Sequence, residues 1–352
     1  MAPVSSEARD ETPFDLCRSG LVFLFAFMVE SLTVASPPAT ESASADLEST
    51  GARLLGHRLV QTGGGVVIFL LLLALAAPSL TRWHILQEPI LQNQNGLDAY
   101  GMPLPPGGRY LLGTDSLGRD VLSRVIYGTR VSLTVGIAAM LTATGIGLTI
   151  GLLSGYYGGK LDMGFMRFTD MNLSIPSILL AIAFAALMDG KVIHLHPAWL
   201  HWTFLDVHLR RGMISIFLII GLVCWPPMVR VIRGQVLSIK ERDFVHASRA
   251  LGASGLRIIA RHLLPNVLPT VIVLSAMTTA NTIILEAGLG FLGVGVPPPA
   301  PSWGSMIADG QDYFVSAPLI VIAPGMAIVM TVLAFNLLGQ GLQEVLNPRQ
   351  TR

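Results

Sequence analysis

Charge is what this 352-residue sequence has least of: Asp, Glu, Lys and Arg make up 13% of it, against about 25% in an ordinary soluble domain. With hydrophobic residues at 52%, so little charge excludes a chain solvated by water alone. A formal net charge of +1 leaves no basic excess for holding nucleic acid. Cysteine is almost missing. Cys17 and Cys224 are too few and too far apart for a disulfide framework or a cysteine metal centre, and Cys224 reads as a small packing residue inside an apolar block. The G-x-x-x-x-G-K-[ST] loop that cradles nucleotide phosphates is also lacking. The pairs Gly159-Lys160 and Gly190-Lys191 are followed by Leu161 and Val192, so the chain hydrolyses no ATP through that device. Nothing points to a cofactor or a catalytic site.

What is present is a set of apolar runs about 18 residues long or longer, the length a helix needs to cross a hydrocarbon core of roughly 30 Å. Six are read as spans, at residues 63–80, 131–157, 171–188, 212–229, 267–285 and 318–338. The fold class is therefore an all-α integral membrane protein. Small residues in these runs, among them Gly136, Gly145, Gly147, Gly151, Ala138, Ala139 and Ala143, allow close helix approach in lipid. Pro176, Pro226, Pro227 and Pro324 remove backbone donors and predict kinks. The stretch 1–51, rich in Ser, Ala, Glu, Thr and Pro, reads as a disordered tail. Its apolar run 21–29 is too short to span and lacks the basic flank of a secretory signal.

Lys and Arg assign the sides, because short cytoplasmic loops carry an excess of them. Between spans four and five stand Arg230, Arg233, Lys240, Arg242, Arg249, Arg257 and Arg261, whereas residues 291–317 contain no Lys or Arg. The first loop is expected inside, the second outside, and with six spans both termini are cytoplasmic. The organisation expected is a cytoplasmic tail at 1–60, a first span with an outer segment at 61–128, a membrane domain at 129–343 and a short tail at 344–352.

The basic loop carries the functional signal. RDFVHASRALGASGLRIIARHLLPN is too charged for lipid yet patterned as two short helices. Asp243 is expected to cap the first, with Phe244, Ala247, Ala250 and Leu251 on one face. Gly252 supplies a turn. Ser254 is expected to cap the second, with Leu256, Ile259, Ala260 and Leu263 on one side and Pro265 ending it. A short exposed amphipathic helix needs either a partner's groove or the membrane surface, and the residues alone allow both.

This stretch resembles the cytoplasmic coupling loop of binding-protein-dependent ABC importers, the EAA loop, on Ala247, Gly252, Leu264 and Pro265; RALGAS followed by RHLLPN is similar to the dipeptide and oligopeptide permease branch. His246 stands where the family usually has Glu, and Ser248 where it has a second Ala. A Glu there would favour the positive helix end; a protonated His would oppose it by roughly 0.5 kcal/mol. Two further stretches resemble the same branch. LLGTDSLGRDVLSRVIYGTRVSL is similar to its outer entry segment, where Asp115 is expected to cap a surface-lying amphipathic helix bearing Leu117, Val121, Leu122, Val125 and Ile126. LEAGLGFLGVGVPPPAPSWGSMI resembles the loop after span five. The resemblance implies a permease of the bacterial plasma membrane forming half of a translocation path, a second permease subunit as its heterodimer partner in that branch's pattern, two cytoplasmic ATPase subunits, and an extracytoplasmic binding protein delivering di- or oligopeptides. The coupling-loop residues it implies are Asp243, Phe244, His246, Ala247, Ser248, Leu251, Gly252 and Pro265.

Within the spans Glu286, Asn281 and Asn336 are the polar candidates. Glu286 is expected at a helix end, reaching interfacial water or a neighbouring Arg, and the two Asn to bond between helices. His194, His196, His201 and His208 in the outer segment 191–211 leave open a nickel-type cargo, since nickel importers share this architecture; with Trp199 and Trp202 beside them they also read as an interfacial belt. An ion-coupled secondary transporter or a membrane scaffold remain alternatives. The first would need ionisable residues near the midplane and internal repeats.

Overall fold

The computed structural model describes residues 53–188, 191–194, 206–209 and 212–346. The tail with its run 21–29 and Cys17, the residues His196 and His201, and the C-terminal tail from 347 lie outside the described residues.

Among the described residues, four helices are each long and apolar enough to cross a membrane. The first, α1, is Arg58–Arg82; α2 is Val121–Tyr157. The others are the continuous rod Gly255–Phe291 and the last helix, Leu319–Leu346. Two bent pairs supply the remaining spans, giving six when each pair counts as one. In the first pair α3, Gly159–Ser174, meets α4, Ser177–Met188, at 98°. Pro176 sits at this break, where it cannot donate to a helix passing through it. Residues 171–174 therefore lie on α3, before the break, and the third span is this bent pair. In the second pair α5, Met213–Cys224, meets α6, Pro226–Ile239, at 45°, with the break just before Pro226. Pro324 lies inside the last helix without ending it.

The loop after α6 carries α7, Asp243–Ala250, and α8, Gly255–Ile258. A π-turn at Ile259–Leu263 joins α8 to α9, Leu264–Phe291. Pro265 does not end a helix, as its spacing had predicted. It occupies the first turn of α9, where no intrahelical donor is needed. Next along the chain come α10, Trp303–Gly310, and α11, Leu319–Leu346. One short antiparallel ribbon is added to the helical architecture: β1, Lys191–His194, pairs with β2, Asp206–Leu209, matching Val192 to His208 and His194 to Asp206.

The outer amphipathic helix is also placed differently. Asp115 Oδ1 accepts from the Leu117 and Arg119 amides at 2.9 and 3.0 Å, which closes a turn instead of starting a helix. Gly118, at φ 70°, completes the turn. Asp120 caps α2 by accepting from Ser123 N at 3.0 Å, and nothing interrupts the helix thereafter. Val121 through Ile126 thus form the first turns of a 37-residue rod, about 55 Å long at 1.5 Å per residue.

Close backbone approach holds the bundle together, as expected where lipid offers no hydrophobic drive. Gly147, Gly151 and Gly155 on α2 face Met228, Ile232 and Val236 on α6, all spaced four residues apart. A Cβ on each glycine would lie 2.6, 2.8 and 2.7 Å from its partner. Of the small residues singled out in the sequence, Gly145 meets nothing, and Gly155 had been overlooked. At the opposite edge Gly63 of α1 packs on the Ala334–Leu338 backbone, Gly341 of α11 packs on Val60, and His57 Nε2 meets Glu344 Oε2 at 2.9 Å. The start of α1 and the end of α11 therefore share one side.

Candidate functional site

The loop between α6 and α9 lies on that same side. Tyr127 of α2 donates to Thr81 at the far end of α1 at 3.0 Å, so α2 runs back toward the start of α1. Its last turns meet the loop: Lys240 Nζ donates to Gly155 O at 3.1 Å, Arg249 lies 5.9 Å from the Tyr156 ring centroid, and a Cβ on Gly255 would touch Tyr156 and Tyr157.

Helix α7 has two faces. Its inward contact is Val245, fully buried in a cluster with Ile232, Val236 and Ile239 of α6, Ile258, Ile259 and Leu263 of the α8 segment, and Val267 of α9. Its outward face is apolar but uncovered: Phe244 is 39% exposed and Leu251 89%, with Leu256 of α8 at 69%. Ala247 and Ala250 are exposed beside them. The predicted stripe Phe244–Ala247–Ala250–Leu251 exists, but it faces away from the bundle. The predicted stripe on the second helix is split, because the π-turn rotates Ile259 and Leu263 inward and leaves Leu256 and Ala260 outside.

The caps also differ from expectation. Arg242, extended at φ −79°, ψ 148°, holds the N-cap position of α7, and Asp243 is already inside the first turn without a side-chain cap bond. Asp243 still favours the positive helix end by its charge. Ser254 does occupy the N-cap of α8, but its hydroxyl makes no cap bond. Gly252, at φ 83°, makes the predicted turn, with Gly252 N donating to Arg249 O and Ala253 N to Ser248 O at 3.0 and 3.1 Å. His246 Nε2 is 3.6 Å from Glu241. Ser248 Oγ and His262 Nε2 lie 3.2 Å apart, and the Phe244 ring is tilted against His262 at 6.0 Å.

Ion pairs brace the base of this loop. Arg233 of α6 donates through two nitrogens to the two oxygens of Asp162 on α3 at 2.5 and 2.6 Å, and Arg230 donates to Asp170 at 2.5 Å. A push on α7 thus meets α6, α9, α2 and, through Arg233, α3.

Of the polar candidates within the spans, Glu286 is fully buried on α9, not at an interface. No Arg reaches it. Its polar neighbours are Ser132 of α2 and Ser302 at the start of α10, but neither oxygen has a partner in bonding geometry. Asn281 is exposed on α9 and Asn336 half-buried on α11; the interhelical bonds expected of them are not formed among the described residues.

Residues 147–352, more than half of the chain and including the loop, match the family model of the binding-protein-dependent transport system inner membrane component. The chain belongs to this family. The permease is 38% identical over 244 residues to the glutathione transport system permease protein of Pectobacterium atrosepticum, covering 69% of this chain and 74% of that one. It is 37% identical over 300 residues to a putative peptide transport system permease protein of Brucella abortus, covering 85% and 91%. To the dipeptide transport system permease protein of Alkalihalophilus pseudofirmus it is 35% identical over 297 residues, covering 84% and 88%. A chain of the MetNI methionine ABC transporter, solved in inward-facing conformations, aligns at 19% identity and a TM-score of 0.48, covering 64% of this chain and 97% of that one.

Sequence reasoning missed two features of the permease. Val245, the anchor of α7, was hidden by its more conspicuous neighbour Phe244. The ion network at the start of α2 joins residues far apart in sequence: Arg119 Nε donates to Asp115 Oδ2 at 2.6 Å, Arg124 Nε lies 3.2 Å from the same oxygen, and both guanidinium groups lie 3.7 Å from Asp309 on α10. Asp115, Arg119 and Arg124 are all buried. Only the density of charge in 115–124 of an otherwise charge-poor chain pointed there.

Proposed function

We propose that this permease forms half of the translocation path of an ATP-driven importer of di- and oligopeptides. The relatives named for peptide, dipeptide and glutathione transport support that cargo. The single observation that carries the coupling is the two-faced α7: Val245 fixes it to the bases of α6 and α9, while Phe244, Leu251 and Leu256 present an uncovered apolar surface. The occupant of that surface is a cytoplasmic ATPase subunit, docked around Asp243, Phe244, His246, Ala247, Ser248, Leu251 and Gly252, with Pro265 at the hinge into α9. Two such ATPases close on ATP and carry the docked loops with them. The bundle then shifts between its two states by as much as the closed dimer prefers one of them.

The Arg and Lys residues of the loop support a cytoplasmic side for it, and the His57–Glu344 contact supports the same side for the start of α1 and the end of α11. Residues 129–343 act as the membrane domain, begun eight residues earlier by the first turns of α2. Asn281 supports a second permease subunit: an amide exposed in the middle of a spanning helix lacks partners in lipid and finds them across a subunit interface or in a wet path. An extracytoplasmic binding protein delivers the peptide to the opposite side.

The test is co-purification from the native complex. Wild type is expected to retain the ATPase subunits, and Phe244→Asp with Leu251→Asp to lose them while the permease stays folded. An impermeant thiol reagent on Arg249→Cys, in a background with Cys17 and Cys224 replaced by Ser, is expected to label only opened cells. Labelling of intact cells from outside would sink the assignment of sides.

A further inference from the structure

We propose that the cavity at the C-terminal end of α1 binds a zwitterion carrying a primary ammonium and an anionic group, the chemistry of an aminophospholipid headgroup. The cavity encloses about 500 Å³, within the range of small-ligand sites. Glu88 and Arg109 both line it, and neither has an ion-pair partner among the described residues. Asp120 lines it as well; its Oδ2 caps α2, and its Oδ1 is left without a donor.

Opposite charges that share a cavity without joining are held apart by their scaffold. Ser123 Oγ donates to Gln87 O at 2.8 Å, fixing the segment of Glu88. The backbones of Gly107 and Tyr110 exchange two hydrogen bonds at 2.9 Å, fixing that of Arg109. A ligand with both signs of charge supplies an ammonium to the carboxylates and an anion to the guanidinium, each as a charge-assisted hydrogen bond, and brings no net charge. A metal ion is a poorer occupant, since no group of three His, Cys, Asp or Glu is placed to hold one among the described residues.

The position favours a lipid. The cavity sits where a spanning helix leaves the hydrocarbon, and Ile85, Leu91 and Leu111, which line it, stand exposed. Aromatic and apolar side chains at that level lie among headgroups. The site is independent of which solute the permease carries and of which leaflet it faces.

The test uses the full-length permease, co-purified with its partner subunits, in nanodiscs of equal phosphatidylethanolamine, phosphatidylcholine and phosphatidylglycerol. Lipid retained on release is counted by native mass spectrometry. The choline lipid keeps the phosphate but has no N–H donors, and the glycerol lipid has no ammonium. The expected result is enrichment of the ethanolamine lipid by about tenfold over both, falling to about twofold or less in Glu88→Gln and in Arg109→Gln. Both residues are exposed, and unchanged unfolding temperatures would confirm that the variants fold. In a second arm, glycylglycine is added to permease in phosphatidylcholine alone. An adduct lost in both variants, without any lipid preference, supports the site and assigns its ligand to a soluble zwitterion. Equal retention of the three lipids, with any glycylglycine adduct indifferent to both substitutions, overturns the proposal.

Discussion

The two ends of the bundle are built in opposite ways. On the side of the α1 C-terminus, α10 is seated by a full capping box, with Ser302 and Ser305 bonding each other's backbone. Trp303 is fully buried, its indole donating to Val125 O at 3.1 Å, and the Asp115–Arg119–Arg124 cluster is closed over. On the side of the termini, α7 and α8 make no side-chain cap bond. Their charges are solvated, and apart from the buried Val245 and Ile258 their large apolar side chains, Phe244, Leu251 and Leu256, face outward. At the first end α10 and the ion cluster are seated by contacts within the chain, whereas at the second the apolar face of α7 is left uncovered. A substitution in those seated contacts should therefore change stability, and one on the uncovered face should change association.

The contrast breaks most sharply at Asp115. Asp115→Ala leaves Arg119 and Arg124 buried with only the more distant Asp309, and removing one partner of a buried charge cluster costs about 3–5 kcal/mol. The expected outcome is a steep fall in the unfolding temperature of the purified permease and in its monodisperse yield. Gly304→Ala comes next. A Cβ there would overlap the Ala287 carbonyl, which is backbone and cannot swing away, so overpacking should cost about 1–3 kcal/mol. Gly252→Ala is smaller still. Nothing lies within 4 Å of a Cβ at that position, so only the left-handed backbone is strained, at about 1–2 kcal/mol. Unfolding temperatures of the three variants should fall in that order. A Gly252→Ala effect equal to that of Gly304→Ala would mean that the loop is as tightly packed as the outer end.

Much of this contrast was legible in the sequence. Blocks of apolar residues gave six spans, and the turn at Gly252 and the outward stripe at Phe244 and Leu251 followed from spacing. What could not be read was continuity. Pro265 and Asp115 look like stop and start signals, but a proline is tolerated in the first turn of a helix, and an Asp can close a turn as readily as cap a helix. The helix α3 ends at Ser174, two residues before Pro176, whereas α11 passes through Pro324, so a proline alone does not mark a break. Glu286 was misplaced for a related reason: position along a helix is visible in the sequence, but the face is not, and its face is the one covered by α2 and α10. The pairing of Arg119 and Arg124 with Asp309 depends on α10 folding back over the start of α2, a contact across nearly two hundred residues.

At the loop itself the expected change is in partners. Phe244→Asp with Leu251→Asp should alter the unfolding temperature by no more than surface substitutions do, about 0.5 kcal/mol, while removing most of the ATPase recovered with the permease. An equally large loss of stability would show that this face is already covered in the isolated chain.

The smallest effect is expected at His246, where relatives of the resembled branch usually place Glu. In an isolated helix, Glu in the first turn would add roughly 0.3–1 kcal/mol through the helix dipole. Here Glu241 lies 3.6 Å from the imidazole, so His246→Glu sets two carboxylates side by side, and repulsion of similar size cancels the gain. The single variant should match wild type in unfolding temperature. Adding Glu241→Gln should raise it by the part of the dipole term that the repulsion had masked. If His246→Glu alone is stabilising, the Glu241 contact is not maintained in solution, and the loop is freer on its own than α7's buried Val245 implies.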